Sequence, residues 1–296
     1  MNLGAVFAWS LAPPMIHSFA GSFPVNFQNA FRYFVALLVL WPAFLLTEQP
    51  APLRTHLALL LGRMRQIVVI ALVNYCFQVC YTYSLFLVAP SVMSLLNQTQ
   101  VIFGVAFAIL FFQDERVFIR RPAFLAGLLC ALTGVSFVVI GSRTFGSPEL
   151  SIGIVVILAS ASCWALLGSL LRKWVPDVPP LLSICAVFSV VTPLFIATYA
   201  LAHHGFPIPL APPGQWLILT VSGLLAIGLG HSLFYRAIAV LGVSVSTSIG
   251  LITPLISSLI SYAAFGDALS LIQLAGAAGL LGGCFLIVLA RFRTGP

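Results

Sequence analysis

Charged residues are almost absent from long stretches of this chain, and this feature limits its fold more than any other. Only 6% of the 296 residues are Asp, Glu, Lys or Arg, whereas 61% are hydrophobic. Soluble domains carry about 25% charged residues, and a soluble fold of this composition would expose very large apolar patches. The surrounding solvent must be mostly lipid, and the sequence predicts an all-α integral membrane protein.

Apolar runs long enough to cross a bilayer recur ten times along the chain. A membrane helix needs about 20 mostly apolar residues. The connections between the runs are short, with two longer ones at 47–65 and 203–214. The ten predicted spans are 3–20, 25–46, 66–88, 91–112, 122–141, 152–172, 181–202, 215–239, 243–265 and 270–290.

Lys and Arg are distributed unevenly between the two sides of these spans. With the N-terminus inside, ten of the 13 basic residues fall in inner segments, Arg143 falls in an outer one, and Arg32 and Arg236 lie within spans. Basic loops stay in the cytoplasm. The bias therefore predicts ten helices in the inner membrane with both termini cytoplasmic. It also explains the net charge of +7 without nucleic acid as a partner.

Two halves of the sequence resemble each other. The stretch Leu224–Asp267 has a near-copy at Ala71–Asp114, with an offset of 153 positions that aligns Ser91 with Ser244. Five spans per copy is an odd number, so the second copy enters the bilayer from the opposite side. This inverted repeat is a recurring architecture of secondary transporters, whose site lies near the midplane.

Further equivalences extend the repeat over the whole chain. Trp9 matches Trp164 in the first and sixth spans, at an offset of 155. The fifth and tenth spans match at an offset of 149 through the glycine pairs Gly127 with Gly276 and Gly134 with Gly283. The predicted architecture is two inverted five-helix repeats, residues 1–146 and 147–296, in one membrane domain.

Polar side chains within the spans are the candidate lining of a cavity, because buried polar groups in a bilayer usually face the bundle interior. Gln78, Ser94, His231 and Thr247 are expected to face one shared cavity. Ser and Thr also bond their own helix backbone, which is the alternative for each of them. The predicted substrate-binding residues are Trp9, Gln78, Tyr81, Ser94, Asn97, Gln98, Trp164, His231, Tyr235, Ser244 and Thr247.

Two of these residue types allow a more specific chemistry. His231 could carry a proton, since small shifts move a histidine through neutral pH; alternatively it is neutral and bonded to Gln78 or a backbone carbonyl. Trp9 and Trp164 could wall a pocket for an apolar or aromatic side chain and could hold an ammonium group. The alternative for both is a lipid-facing position.

Prolines inside the spans are candidate hinges. Pro254 leaves the carbonyl of Gly250 without its helical donor, and Pro13 and Pro14 do the same in the first span. Freed carbonyls can bind charged groups of a substrate. The alternative is a fixed kink without a role in gating.

Several functions lack their residues here. The middle of every span lacks Asp and Glu, so a carboxylate proton relay is not visible. Arg32 and Arg236 are expected to extend to the membrane surface, which leaves a neutral cavity suited to a zwitterionic metabolite. Cys76 and Cys80 share a helix face, but a metal site would need further ligands. Neither a metal, a cofactor nor a hydrolase motif is predicted.

The two hairpins also carry a family resemblance. The run FYRAIAVLGVSVSTSIGLITPLISSLISYAAFGD, and its counterpart YTYSLFLVAPSVMSLLNQTQVIFGVAFAILFFQDE, resemble the EamA-type signature of the drug/metabolite transporter superfamily. Pro254 matches the mid-helix proline of that pattern, whereas Val101 replaces it in the first copy, and Asp267 stands where Glu is commoner. The chain looks most like the aromatic amino acid exporter (YddG-like) branch.

The resemblance implies a monomeric exporter of aromatic or apolar amino acids, or similar small zwitterions, that works by alternating access in the lipid bilayer. Export direction comes from the resemblance alone. Two alternatives remain: a transporter of nucleotide sugars, drugs or lipids, and a membrane-embedded enzyme or scaffold.

Overall fold

The computed structural model of the protein describes residues 2–47, 53–113, 121–234, 236–237 and 249–292. Every regular element in these ranges is helical. A 3₁₀ turn, Asn97–Thr99, and a π-helical segment, Gly223–Leu229, interrupt two of the spans. The α-helices are α1 (Asn2–Ser18), α2 (Val25–Thr47), α3 (Leu53–Gly62), α4 (Met64–Leu87), α5 (Pro90–Leu96), α6 (Gln100–Phe111), α7 (Pro122–Ile140), α8 (Pro148–Trp174), α9 (Pro180–Ala202), α10 (Pro213–Ser222), α11 (Thr253–Phe265) and α12 (Leu271–Phe292).

Eight stretches of the described chain are long and apolar enough to cross a membrane. The prediction of a multi-span all-α protein is thus confirmed. The other two predicted spans correspond to α1, which has 17 residues, and to α11, which has 13. Residues 238–248, which the ninth predicted span includes, lie outside the described ranges. The number ten therefore stays a prediction. Helix α3 lies in the connection 47–65, which was predicted without a helix.

Prolines and caps explain where many helices begin and end. Helices α5, α7, α8, α9 and α10 each start at a proline, whose fixed φ suits the first turn and whose missing N–H costs nothing there. Ser147 caps α8 by accepting a hydrogen bond from the Leu150 N–H at 3.1 Å. At the other end of α11, Gly266 adopts φ = 67° and closes the helix with an αL cap.

The outer surface of the bundle is apolar. Leu46, Leu129, Val155 and Leu259 expose 65–84% of their surface, and many similar side chains do the same. In water such a surface would drive aggregation, whereas lipid solvates it. Polar side chains such as Asn29 are buried instead. This inside-out distribution is what a bilayer-spanning bundle requires.

Equivalent helices of the two halves run antiparallel to each other. Along α2 and α9, Phe27 lies 5.3 Å from Tyr199 by ring centroids, while Trp41 Nε1 donates to Ser189 Oγ at 3.2 Å. Helices α2 and α9 therefore run in opposite directions. Contacts between non-equivalent spans match as well. The third span, α4, packs on the sixth, α8, and in the same way the eighth span, through its π-helical segment, packs on the first, α1. This packing fits two inverted repeats.

The fifth and tenth spans, α7 and α12, approach each other closely enough for backbone contact. A Cβ on Gly127 would lie 2.8 Å from the Gly283 carbonyl, and one on Gly276 would lie 2.8 Å from the Gly134 carbonyl. The four glycines that were matched as repeat equivalents thus meet in space, Gly127 with Gly283 and Gly134 with Gly276. Without side chains at these positions the two backbones pack directly against each other.

Two spans are interrupted at equivalent positions. The fourth span changes from α5 to α6 through the 3₁₀ turn Asn97–Thr99. In the ninth span a turn at 251–252 precedes α11, and the offset of 153 places it on residues 98–99. Pro254 accordingly occupies the first turn of α11, where proline is tolerated. The span is interrupted directly before Pro254, and the role of Pro254 as a hinge or kink stays a prediction.

An acidic side chain joins the two interrupted spans. Asp267, just beyond α11, accepts a hydrogen bond from the Ser91 backbone N–H at 3.1 Å. Ser91 lies in the first turn of α5, where the helix dipole favours negative charge. Asp114 and Ser244, the repeat equivalents of this pair, lie outside the described residues.

Replacing Asp267 with asparagine is expected to destabilise the protein by about 1 kcal/mol, because the first turn of α5 loses its negative partner. Asp177→Asn is the matched control: Asp177 pairs with Arg63 at 3.2 Å, but both side chains are about 40% exposed, and exposed pairs contribute little. Melting temperatures of the two purified variants measure this difference in stability. Equal melting temperatures would contradict a role of Asp267 at α5.

Candidate functional site

Trp9 and Trp164, from the two halves of the chain, meet at the centre of the bundle. Their rings lie 6.2 Å apart in an edge-to-face arrangement. His231 packs against both, at 5.4 Å from Trp9 and 5.9 Å from Trp164. Phe188 adds a further ring at 5.4 Å from His231. Both tryptophans are only half-buried. Trp9, Trp164, His231 and Phe188 form the aromatic cluster.

The backbone of the eighth span positions the His231 side of this cluster. His231 Nδ1 lies 2.8 Å from the Ile227 carbonyl, which can only accept, so Nδ1 carries a proton. A backbone carbonyl is one of the two hydrogen-bond partners that the sequence suggested for a neutral His231. Just before it, a Cβ on Gly230 would lie 2.7 Å from Trp9 Nε1. Glycine at position 230 therefore lets the indole lie against the helix.

The π-helical segment Gly223–Leu229 ends immediately before these residues. Segments of this kind insert an extra residue into a helix and often occur at functional sites. Its glycines face α2: a Cβ on Gly223 would lie 2.9 Å from the Arg32 carbonyl, and one on Gly228 would lie 3.2 Å from the Val39 Cβ. The segment thus brings α2 close to the aromatic cluster.

Gln78 belongs to a hydrogen-bonded network between α2 and α4. Its amide donates to Thr82 Oγ1 at 3.1 Å, and its Oε1 accepts from the Tyr33 hydroxyl at 3.3 Å. Thr82 in turn donates to Asn29 Oδ1 at 2.8 Å, and Asn74 donates to the Tyr33 hydroxyl at 3.0 Å. All five residues are buried. The network ties two helices of the first half together and satisfies the polar groups of Gln78.

Gln78 and His231 are joined through two intermediates. The Tyr33 ring lies 4.5 Å from Phe188, and Phe188 lies 5.4 Å from His231. Both predicted residues therefore face the bundle interior. Tyr81 is connected to the aromatic cluster through Phe77, which lies 5.7 Å from the Tyr81 ring and 5.0 Å from the Trp164 ring.

The fourth span contributes Ser94, Asn97 and Gln98 to the interior. Ser94 Oγ lies 2.8 Å from Ser257 Oγ of α11, so this hydroxyl pair bridges the halves. Gln98 is 5% exposed, and its carbonyl accepts from the Cys284 thiol at 3.7 Å. Asn97 Oδ1 is buried without a hydrogen-bond partner. Their substrate-binding role stays a prediction, as it does for the aromatic cluster.

Three predicted site residues, Tyr235, Ser244 and Thr247, lie outside the described residues. The predicted hinge residues Pro13 and Pro14 are buried inside α1. Next to them, Ser10 donates to the Thr253 carbonyl at 3.1 Å and to the Val6 carbonyl at 2.7 Å. The proline-containing part of α1 therefore contacts the start of α11, close to Pro254.

One buried residue was predicted incorrectly. Arg32 was expected to extend to the membrane surface, yet its side chain is only 1% exposed. Helix α2 turns Arg32 inward because Asn29, three residues before it, and Tyr33, the next residue, both bond to α4. The prediction of a neutral cavity thereby loses one of its premises and stays a prediction.

Two cavities lie at one end of the bundle, away from the aromatic cluster. The larger, of about 400 Å³, lies between the loop 20–24 and the end of α9 at Tyr199 and His203. The smaller, of about 270 Å³, shares Pro24 and Tyr199 and continues towards Tyr83. In the parts of the chain that are described, His, Cys, Asp and Glu do not form a group of three that could hold a metal.

Comparison with known proteins identifies the family of this fold. The model of the EamA-like transporter family matches residues 1–140 and again residues 151–289. The chain therefore belongs to the EamA-like transporter family. This assignment confirms the resemblance at family level and the transporter class, and members of the family are transporters rather than enzymes. The two matches lie on either side of the predicted boundary at residue 146.

Solved structures share the fold. One solved structure, described as a crystal structure of protein, is similar over 99% of this chain and 97% of the length of its own chain, with a TM-score of 0.64 and 24% sequence identity. At that identity the likeness concerns the fold alone. None of the curated proteins matches the sequence.

Proposed function

We propose that the protein exports aromatic or apolar amino acids, or similar small zwitterionic metabolites, across the inner membrane. The observation that carries this proposal is the meeting of Trp9 and Trp164, one from each half, around His231. Ring faces at this point suit an apolar or aromatic side chain. Within the family this favours the aromatic amino acid exporter (YddG-like) branch.

The transport mechanism we propose is alternating access between two five-helix halves, in ten helices with both termini cytoplasmic. The antiparallel packing of α2 on α9 and of α7 on α12 supports an interface about which the halves could rock. The interruptions of the fourth and ninth spans are the hinges that we propose for this motion. One protomer contains the whole proposed site, which favours a monomer.

A transport assay with the purified full-length protein in proteoliposomes tests the substrate class. Vesicles loaded with one radiolabelled amino acid at a time are expected to release aromatic and apolar ones faster than protein-free vesicles do. Competition with nucleotide sugars, cationic drugs and lipids in the same assay separates the alternative classes. A protein that moves none of a broad amino acid panel would refute the proposed substrates.

The same vesicles address energy coupling. Transport is measured with and without a pH gradient, for the wild type and for His231→Ala. If His231 carries protons, the gradient accelerates only the wild type. Equal acceleration of both proteins would assign the coupling to another group.

A further inference from the structure

The interior of the bundle contains one fully buried guanidinium without a neutralising carboxylate in the described chain. Arg32 is 1% exposed, and its Nε and Nη1 are buried without a hydrogen-bond partner. It lies seven residues into α2, about 10 Å from the end of that helix. The ion pair found within the described ranges joins Arg63 and Asp177 at the exposed helix ends. Arg32 is therefore a buried positive charge without a neutralising side chain among the described residues.

Two polar neighbours of Arg32 on its own helix, Asn29 and Tyr33, are bonded to α4, whereas Oε1 of Gln28, one turn before Arg32, is buried without a hydrogen-bond partner. Asn29 accepts from Thr82, and the Tyr33 hydroxyl donates to Gln78 and accepts from Asn74. These bonds connect α2 to α4 and do not involve the guanidinium of Arg32. An unpaired charge in such a place is strongly destabilising. A protein retains it most readily where a ligand supplies the opposite charge.

The backbone holds Arg32 in a defined place beside the aromatic cluster. A Cβ on Gly223 would lie 3.0 Å from the Arg32 Cα and 2.9 Å from its carbonyl oxygen, so α2 and the π-helical segment are in direct contact there. The same segment leads into His231. Arg32 is also followed directly by Tyr33, whose ring lies 4.5 Å from Phe188 of the aromatic cluster.

The chemistry of the site indicates a singly charged carboxylate. A guanidinium presents planar donors that bind a carboxylate with two parallel hydrogen bonds. A phosphorylated ligand would need more positive charge, whereas Arg32 is the one fully buried Lys or Arg among the residues described. The nearby rings of Trp9 and Trp164 suit an apolar group attached to that carboxylate.

We propose that Arg32 binds the carboxylate of the transported substrate while the apolar part of the substrate packs on Trp9 and Trp164. This inference rests on the proposed function and narrows it to amino acids and organic acids with a free carboxylate. The site should therefore discriminate against molecules of the same shape in which that carboxylate is amidated or missing.

A ligand series on the wild-type protein tests this directly. The purified full-length chain in detergent is titrated with L-phenylalanine, 3-phenylpropionate, L-phenylalaninamide and phenethylamine, and Kd is measured from tryptophan fluorescence. The two carboxylates are expected to bind at least about tenfold more tightly than the amide and the amine, which cannot form the charged bidentate pair. Equal affinities for phenylalanine and its amide would overturn the inference.

Variants assign the discrimination to a residue. Arg32→Gln is expected to lose the preference for carboxylates, and Arg32→Lys to keep part of it, because a lysine retains the charge without the bidentate geometry. The control Arg143→Gln removes a loop charge and is expected to bind like the wild type. A preserved preference in Arg32→Gln would assign carboxylate binding elsewhere. If Arg32→Gln does not fold, the wild-type series decides alone.

The two proposals fail in different ways. A wild-type protein that transports phenylalanine and its amide equally well retains the proposed function and refutes the role of Arg32. A wild type that transports neither amino acids nor their amides, but still binds 3-phenylpropionate in an Arg32-dependent manner, refutes amino acid export and supports the carboxylate site.

Discussion

Replacing Gly134 with valine is expected to lower the free energy of unfolding by about 3 kcal/mol, the upper range for overpacking a tight interface. A Cβ at this position would lie 2.6 Å from the Gly276 carbonyl oxygen and 2.7 Å from the Leu280 Cα. Backbone atoms cannot move aside as a flexible side chain can, so α7 and α12 would have to separate. Reversible unfolding in mixed micelles measures the loss.

The matched control is Gly168→Val on α8. A Cβ there would meet nothing within 4 Å, and the residue is exposed. Both variants introduce the same side chain into a membrane helix, so differences in helix propensity cancel. If Gly168→Val proved as destabilising as Gly134→Val, the close contact between the fifth and tenth spans would not be the cause.

Truncating either central tryptophan is expected to lower transport by at least about tenfold, which corresponds to about 1.4 kcal/mol of lost interaction with the substrate. Trp9→Ala and Trp164→Ala each remove one ring from the aromatic cluster, in which the two rings lie 6.2 Å apart. Initial rates in proteoliposomes at substrate concentrations below saturation report the loss. The preferred amino acid of the wild type serves as the substrate.

Trp174→Ala provides the control, because Trp174 occupies the last position of the same helix as Trp164, α8. It loses the same volume of side chain at the end of the bundle. It is expected to transport at close to the wild-type rate when rates are normalised to folded protein. Equal losses in Trp164→Ala and Trp174→Ala would mean that the cluster stabilises the fold without contacting the substrate.

Much of the fold could be predicted because it depends on local patterns. Apolar runs of about 20 residues predict spans, and prolines such as Pro122 and Pro148 mark the starts of helices. The glycine equivalence between the fifth and tenth spans correctly selected residues that meet in space, since a close crossing needs small side chains on both helices. Helix α3 was missed because its ten residues are too few to cross a bilayer.

The candidate site was harder to predict, because the direction of a side chain depends on its tertiary neighbours. Trp9, Trp164 and His231 were recognised through repeat equivalence, and they do come together. Arg32 was misjudged because helix length alone allows a long side chain to reach the surface. The missing signal lay in Asn29 and Tyr33. Together with Arg32 they occupy positions i, i+3 and i+4 of one helix face, and three polar groups on one face indicate a polar interior.

The π-helical segment Gly223–Leu229 has a consequence for the energetics of the transport cycle. In two identical inverted repeats, a symmetry operation would exchange the inward-open and outward-open states, and the two would have equal free energy. Here the third span is the continuous helix α4, Met64–Leu87, whereas its counterpart contains the inserted residue. In the alternating-access cycle that we propose, this difference would make the free energies of the two states unequal and would bias the empty carrier towards one side of the membrane before any substrate binds.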